Sequence, residues 1–264
     1  MEAVPPPAAA EDFAGVLRKH GVIAPVSPTT LDARHSSLVT PEATTILAFK
    51  YADGVLVAGD RRATSGNTIM YDRADKVLEI DTHSLMAIAG VPATAWEMAR
   101  VLEHSFQFYR RTQLQELSLE GKVRALSKLL RDNLGLVLQG VGMVVPLFAT
   151  FDRVAGVPRM YFYDAMGAQF EAADFAASGS GSAAVRAVLH YTNTWGKKSL
   201  RKLKDEDAIL LALRALETAA SSDSATGGVD RRADIFPIVK LVTAGGIETL
   251  TEKRLAKIFK AQLA

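Results

Sequence analysis

The sequence predicts an α+β protein built on antiparallel sheets, and three observations point there. Short apolar runs follow one another across tight polar turns. Apolar residues then recur at helical spacing in two consecutive segments. Strands, a second helix pair, a further strand and a terminal helix complete the chain. Strands joined by tight turns pair antiparallel, and helices added in pairs cover sheet faces.

The elements run in order from Thr44, where the texture of the chain changes. Residues 1–43 are rich in proline, alanine, serine and threonine, with one weak helical patch at Glu11 to His20. Beyond them, Ile46–Lys50 and Val55–Ala58 flank Tyr51-Ala52-Asp53-Gly54, and Asp-Gly between apolar runs is a strong hairpin signal. Lys76–Ile80 and Ser84–Ala89 form a second pair around Asp81-Thr82-His83. Steps of three and four predict one helix through Ala95, Met98, Leu102, Phe106 and Tyr109, and another through Val123, Leu126, Leu130, Leu134 and Val137. Strands are expected at Val144–Phe151 and Arg159–Tyr163, helices at Ser182–Thr192 and Asp205–Ser221, a strand at Ile235–Val242 and a short basic helix at Leu255–Leu263.

Composition narrows the function classes. An apolar share of 48% suffices for a core, and about 220 residues beyond the N-terminal tail make one ordinary domain. A formal charge of +2, with no basic run interleaved with aromatics, gives no reason to expect nucleic acid. The absence of cysteine excludes disulfides, thiol catalysis and thiolate metal sites. Met1 to Ala10 has neither the basic nor the apolar region of a secretion signal. The apolar stretch Leu134 to Phe151 is broken by Gln139, glycines and Pro146, whereas a membrane span needs about 20 uninterrupted apolar residues. A soluble, cytoplasmic protein is expected.

Several residues could carry chemistry. A threonine inside a chain lacks a base for its hydroxyl, but a threonine at a new N-terminus carries one, since its α-amino group has a pKa of about 8. Thr44 alone is as readily β-branched strand filler. Asp60 at a strand end could be a turn, and Lys76 a solvated edge lysine. On neighbouring strands, however, the two could form a buried ion pair. Gly90 sits where a strand meets a helix. Ser178-Gly179-Ser180-Gly181 reads as a turn or helix start, and no lysine follows to make it a phosphate loop. Asp223-Ser224-Ala225-Thr226-Gly227-Gly228 reads as a helix exit.

Taken together, Thr44-Thr45-Ile46-Leu47-Ala48-Phe49, then Gly59-Asp60-Arg61-Arg62-Ala63-Thr64, then Lys76 and the three glycine-bearing segments resemble a catalytic β-subunit of the 20S proteasome, of the actinobacterial type. The resemblance covers essentially all of residues 44–264. It implies the N-terminal nucleophile hydrolase fold, a four-layer αββα sandwich of two antiparallel sheets, with residues 1–43 as a propeptide cut between Ala43 and Thr44. Thr44 is then the nucleophile. Lys76 lowers the pKa of its amine and stabilises charge on its Oγ, and Asp60 keeps Lys76 charged and oriented. The Gly90 N–H faces the oxyanion, Ser180 helps to shuttle protons, and Asp223 orients the new N-terminus. Thr226 keeps the hydroxyl where many relatives have serine. Thr64 and Gly90 bond the substrate backbone as an added strand. Ala63, Ala74, Ile88 and Pro92 wall the first specificity pocket, which predicts cleavage after hydrophobic residues.

The resemblance further implies two stacked seven-membered rings of identical β-subunits, flanking rings of α-subunits, an ATPase ring and unfolded protein substrates, with no metal or cofactor. One position departs from the family pattern: Ala43 stands where glycine almost always precedes the nucleophile. The extra methyl either slows self-cleavage or marks a chain that matures only after ring assembly. Two other readings stay open. A simpler bacterial double-ring threonine protease shares the Thr-Thr, Asp and Lys positions, but those chains are shorter and lack the long propeptide. A non-catalytic ring subunit would retain its N-terminal extension.

Overall fold

The computed structural model describes residues 44–65 and 68–261. The expected propeptide, with Ala43 and the helical patch at Glu11 to His20, lies outside the described residues.

The opening hairpin forms as its sequence requires. Strands β1 (Thr45–Lys50) and β2 (Gly54–Gly59) pair antiparallel from Ile46↔Gly59 to Lys50↔Val55. The Tyr51 N–H closes the turn on the Gly54 carbonyl at 2.9 Å. Both strands are buried on both faces, which explains their continuous apolar runs. They occupy the middle of a five-stranded sheet of order β10-β1-β2-β11-β12, in which β10 is Phe175–Gly179, β11 Ile238–Thr243 and β12 Gly246–Thr249. A second five-stranded sheet runs β5 (Val77–Asp81), β6 (Ser84–Ala87), β7 (Leu147–Asp152), β8 (Val157–Tyr163) and β9 (Gln169–Glu171). Every pairing in both sheets is antiparallel.

Alternation along β1 separates the layers. Leu47 and Phe49 pack with helices α4 (Ser182–Trp195), α5 (Asp205–Ser222) and α6 (Glu252–Lys260) through Val185, Leu189, Leu213, Leu216 and Ile258. Ile46 and Ala48 point the other way, onto Val77, Leu85, Leu147 and Met160 of the second sheet. That sheet turns Met86, Phe148 and Tyr163 toward α1 (Pro92–Gln113) and α2 (Leu119–Asp132), meeting Met98, Leu102, Leu126 and Leu130. Three apolar cores between four layers make the expected αββα sandwich. No helix among the described residues is long and apolar enough to cross a membrane.

Several elements differ from the expected ones. The helix expected through Val137 stops at Asp132, and a separate short helix α3 (Leu134–Leu138) buries no residue. Between them the Asn133 amide donates to the Gly142 carbonyl at 2.6 Å, tethering the chain where the buried face ends. Strands β7 and β11 begin after Pro146 and Pro237, later than expected, because proline has no N–H for the ladder. Strands β9, β10 and β12, and the hairpin β3 (Ala63–Ser65) and β4 (Thr68–Tyr71), are additional. Each is five residues or shorter.

Candidate active site

Thr44 enters the fold at the start of β1, buried with 4% exposure. Its carbonyl accepts the Ser180 N–H at 3.0 Å. The approach is so close that a Cβ on Gly179, which holds φ +93°, would lie 1.8 Å from the Thr44 carbonyl oxygen. A glycine is therefore required at the end of β10.

The Asp60–Lys76 ion pair forms, but not on neighbouring strands as expected: β2 and β5 belong to different sheets, and the pair bridges the two at their ends. Asp60 follows β2 and Lys76 precedes β5, and the Lys76 ammonium lies 2.8 Å from Asp60 Oδ1 with both residues buried. The carboxylate accepts three further bonds. Thr45 N–H reaches Oδ1 at 2.8 Å, while Arg62 N–H at 2.9 Å and Gly227 N–H at 3.0 Å reach Oδ2. Lys76 also donates to the Arg62 carbonyl. Burial pushes the Lys76 ammonium below its usual pKa, and the charge and hydrogen bond of Asp60 oppose that shift.

A second polar cluster forms where α5 ends. Asp223 Oδ2 accepts the Ser180 hydroxyl at 2.6 Å and the Thr226 hydroxyl at 2.5 Å. The Asp223 carboxyl is held below its usual pKa: partial burial works against ionisation, but the bonds from Ser180, Thr226 and the Ala225 N–H outweigh it. Thr226 also meets the Thr45 hydroxyl at 2.5 Å, and Thr45 Oγ1 accepts the Gly181 N–H at 2.9 Å. Sequence reasoning missed Thr45, Gly181 and Arg62. Arg62 donates to the Ser224 carbonyl at 2.8 Å and so fastens the 224–226 loop beside Asp60. All three lie inside the motif segments, but their roles there depend on partners far away along the chain.

Gly90 holds φ +112°, and a Cβ there would lie 2.1 Å from the Met143 carbonyl oxygen. It bridges Val144 through its neighbours: Val91 N–H bonds the Met143 carbonyl and Val145 N–H the Ala89 carbonyl, each at 2.8 Å. In such a pair the two facing residues exchange no bond, so the Gly90 N–H is not engaged by Val144. Gly90 and Ser180 line one cleft of about 360 Å³ with Ala89, Met143, Val145, Ser178 and Gly179. Ala63, Ala74, Ile88, Pro92 and Thr64 are not among its lining residues. Thr64 is buried on β3, and Ala63 beside it is half-buried. Ala74 is buried, with its N–H on the Arg61 carbonyl at 3.0 Å. Ile88 packs into the core beneath α1 while its N–H bonds the Lys76 carbonyl at 2.9 Å. Pro92 opens α1 and is half-buried.

A family model described as proteasome subunit matches residues 40–233. The chain is similar to proteasome subunit beta 2 of Thermomonospora curvata, at 42% identity over 228 residues, covering 86% of this chain and 79% of that protein. It is similar to proteasome subunit beta of Streptosporangium roseum at 38% over 236 residues, covering 87% and 81%. The corresponding figures for proteasome subunit beta of Streptomyces griseus are 37% over 235 residues, 89% and 81%.

Proposed function

The chain belongs to the proteasome subunit family, and on that premise we propose that it is a threonine endopeptidase subunit of a 20S core particle. The observation that carries this reading is the buried Asp60–Lys76 pair, bonded through the Thr45 N–H to the residue next to Thr44. Removal of residues 1–43 by cleavage between Ala43 and Thr44 gives Thr44 a free α-amine. That amine takes the Oγ proton as Oγ attacks a peptide carbonyl, and the positive Lys76 favours both the deprotonated amine and the developing alkoxide. The Gly90 N–H stabilises the oxyanion; a single donor of this kind is worth about 3–4 kcal/mol of barrier. The amine then returns its proton to the leaving nitrogen, leaving an ester on Thr44. Water, deprotonated by the same amine, hydrolyses that ester.

Ser180 and Asp223 hold the polar surround of the amine. Thr64 and Gly90 bond the substrate backbone, and Ala63, Ala74, Ile88 and Pro92 form an uncharged pocket that favours cleavage after hydrophobic residues. The subunit works in stacked seven-membered β-rings between α-subunit rings, in the cytoplasm, on unfolded protein delivered by an ATPase ring.

The test is the intact mass and N-terminal sequence of the chain after assembly with its α partner, together with peptide turnover. A new N-terminus at Thr44 with turnover is the expected result. A chain still beginning at Met1, with no turnover, favours the non-catalytic subunit that Ala43 also suits.

A further inference from the structure

We propose that Thr45 is a positioning residue for the nucleophile, tying the start of β1 to both carboxylates of the site at once. The inference rests on the threonine-protease reading above.

Asp223 is a carboxylate and only accepts, so the single hydroxyl proton of Thr226 is committed to Asp223 Oδ2. Thr226 Oγ1 must then accept from Thr45, whose own proton fills the bond of 2.5 Å between the two hydroxyls. Thr45 Oγ1 in turn accepts the Gly181 N–H. The direction is fixed along the whole chain, from Gly181 N–H through Thr45 and Thr226 to Asp223. Aligned hydrogen bonds of this kind polarise one another, and Thr45 and Thr226 are both fully buried, away from competing water.

The backbone of Thr45 does the corresponding work on the other carboxylate, its N–H bonding Asp60 Oδ1 at 2.8 Å. Thr45 is thus held from both sides, and the residue before it has its carbonyl bonded to the Ser180 N–H. Thr44 has little freedom to rotate about the axis of β1. The β-branch restricts the Thr45 χ1 angle, so the hydroxyl is aimed by the side chain itself. Thr45→Val keeps the shape and removes the hydroxyl, leaving the Gly181 N–H without its acceptor and Thr226 without its donor.

The test uses particles assembled with the α partner and a fluorogenic peptide with a hydrophobic residue before the scissile bond. For Thr45→Val, kcat is expected to fall by roughly ten- to a hundredfold, as misplacement of a reacting group does, with KM unchanged. Thr45→Ser restores most of kcat. Wild-type kcat in Thr45→Val, or equal impairment of the Val and Ser variants, overturns the proposal. If Thr45→Val does not assemble, Thr226→Val cuts the same chain one bond further on, and wild-type kcat there is equally fatal. A wild type that keeps residues 1–43 and turns over no peptide overturns the parent reading and this proposal with it. An active wild type beside an unaffected Thr45→Val overturns this proposal alone.

Discussion

Replacing Asp60 by asparagine tests whether the buried carboxylate is needed for folding as well as chemistry. The side chain is fully buried and accepts four bonds, two on each oxygen, from Thr45 N–H, Lys76 Nζ, Arg62 N–H and Gly227 N–H. An amide of the same shape has one acceptor oxygen. Placed toward Lys76, it turns its NH₂ on the Arg62 and Gly227 N–H groups, and two buried donors lose their acceptor at about 1–3 kcal/mol each. The ammonium loses its counter-charge as well, and removing one partner of a buried pair typically costs about 3–5 kcal/mol. The two effects overlap, and a total of about 5 kcal/mol or more is comparable to the whole stability of a domain. Lys76→Met breaks the same pair but leaves the carboxylate three backbone N–H donors, so its charge stays compensated and the loss is smaller. A gap of about 3 kcal/mol corresponds to about 6–12 °C in melting temperature for a domain this size. Melting of the two purified variants beside wild type, followed by circular dichroism, reads that gap. A wild-type melting temperature for Asp60→Asn, or a larger loss for Lys76→Met, refutes the reasoning.

Three further outcomes are expected. Thr44→Ala abolishes peptide turnover and leaves residues 1–43 attached while assembly proceeds, as judged by native mass and N-terminal sequencing; any remaining turnover removes Thr44 as nucleophile. Gly181→Ala places a Cβ 2.6 Å from Thr45 Oγ1 and 2.7 Å from Thr226 Oγ1. Such overpacking costs about 1–3 kcal/mol, seen as a lowered melting temperature. Gly135→Ala, where nothing lies within 4 Å, serves as the control that does not lower it. Asp223, whose folded pKa lies below its ordinary value of 3.8, contributes stability above that pH, and the contribution is lost as pH falls through the folded value. The melting difference between wild type and Asp223→Asn should therefore be present at pH 6 and shrink as the pH drops toward 3; a difference independent of pH contradicts the assignment.

Much of the architecture was legible because helical and strand periods are local. Leu102, Leu126 and Leu130, placed by steps of three and four, do form the core beneath α1 and α2. The Asp-Gly turn does join β1 to β2. Asp60 and Lys76 were readable as strand-end residues because the apolar runs delimit those strands, but that the two strands face each other from different sheets was not. Less was legible where the signal is short or tertiary. Phe175–Gly179 looks like the approach to a turn, since Ala176, Ala177 and Ser178 carry no pattern, yet it pairs with β1 along its length. The apolar spacing through Leu134 and Val137 continues past Asn133, where a tether to Gly142 ends the helix.

The sequence by itself determined the antiparallel α+β order and the family resemblance, because each depends on residues close together in the chain or on spacing along it. Only the tertiary structure decided that Thr45 joins the two polar clusters. Its hydroxyl bonds Gly181 and Thr226, 136 and 181 residues away. As strand filler, a second threonine and a valine are nearly equivalent in β-propensity. What distinguishes them is the position of one oxygen relative to partners that folding alone brings within reach.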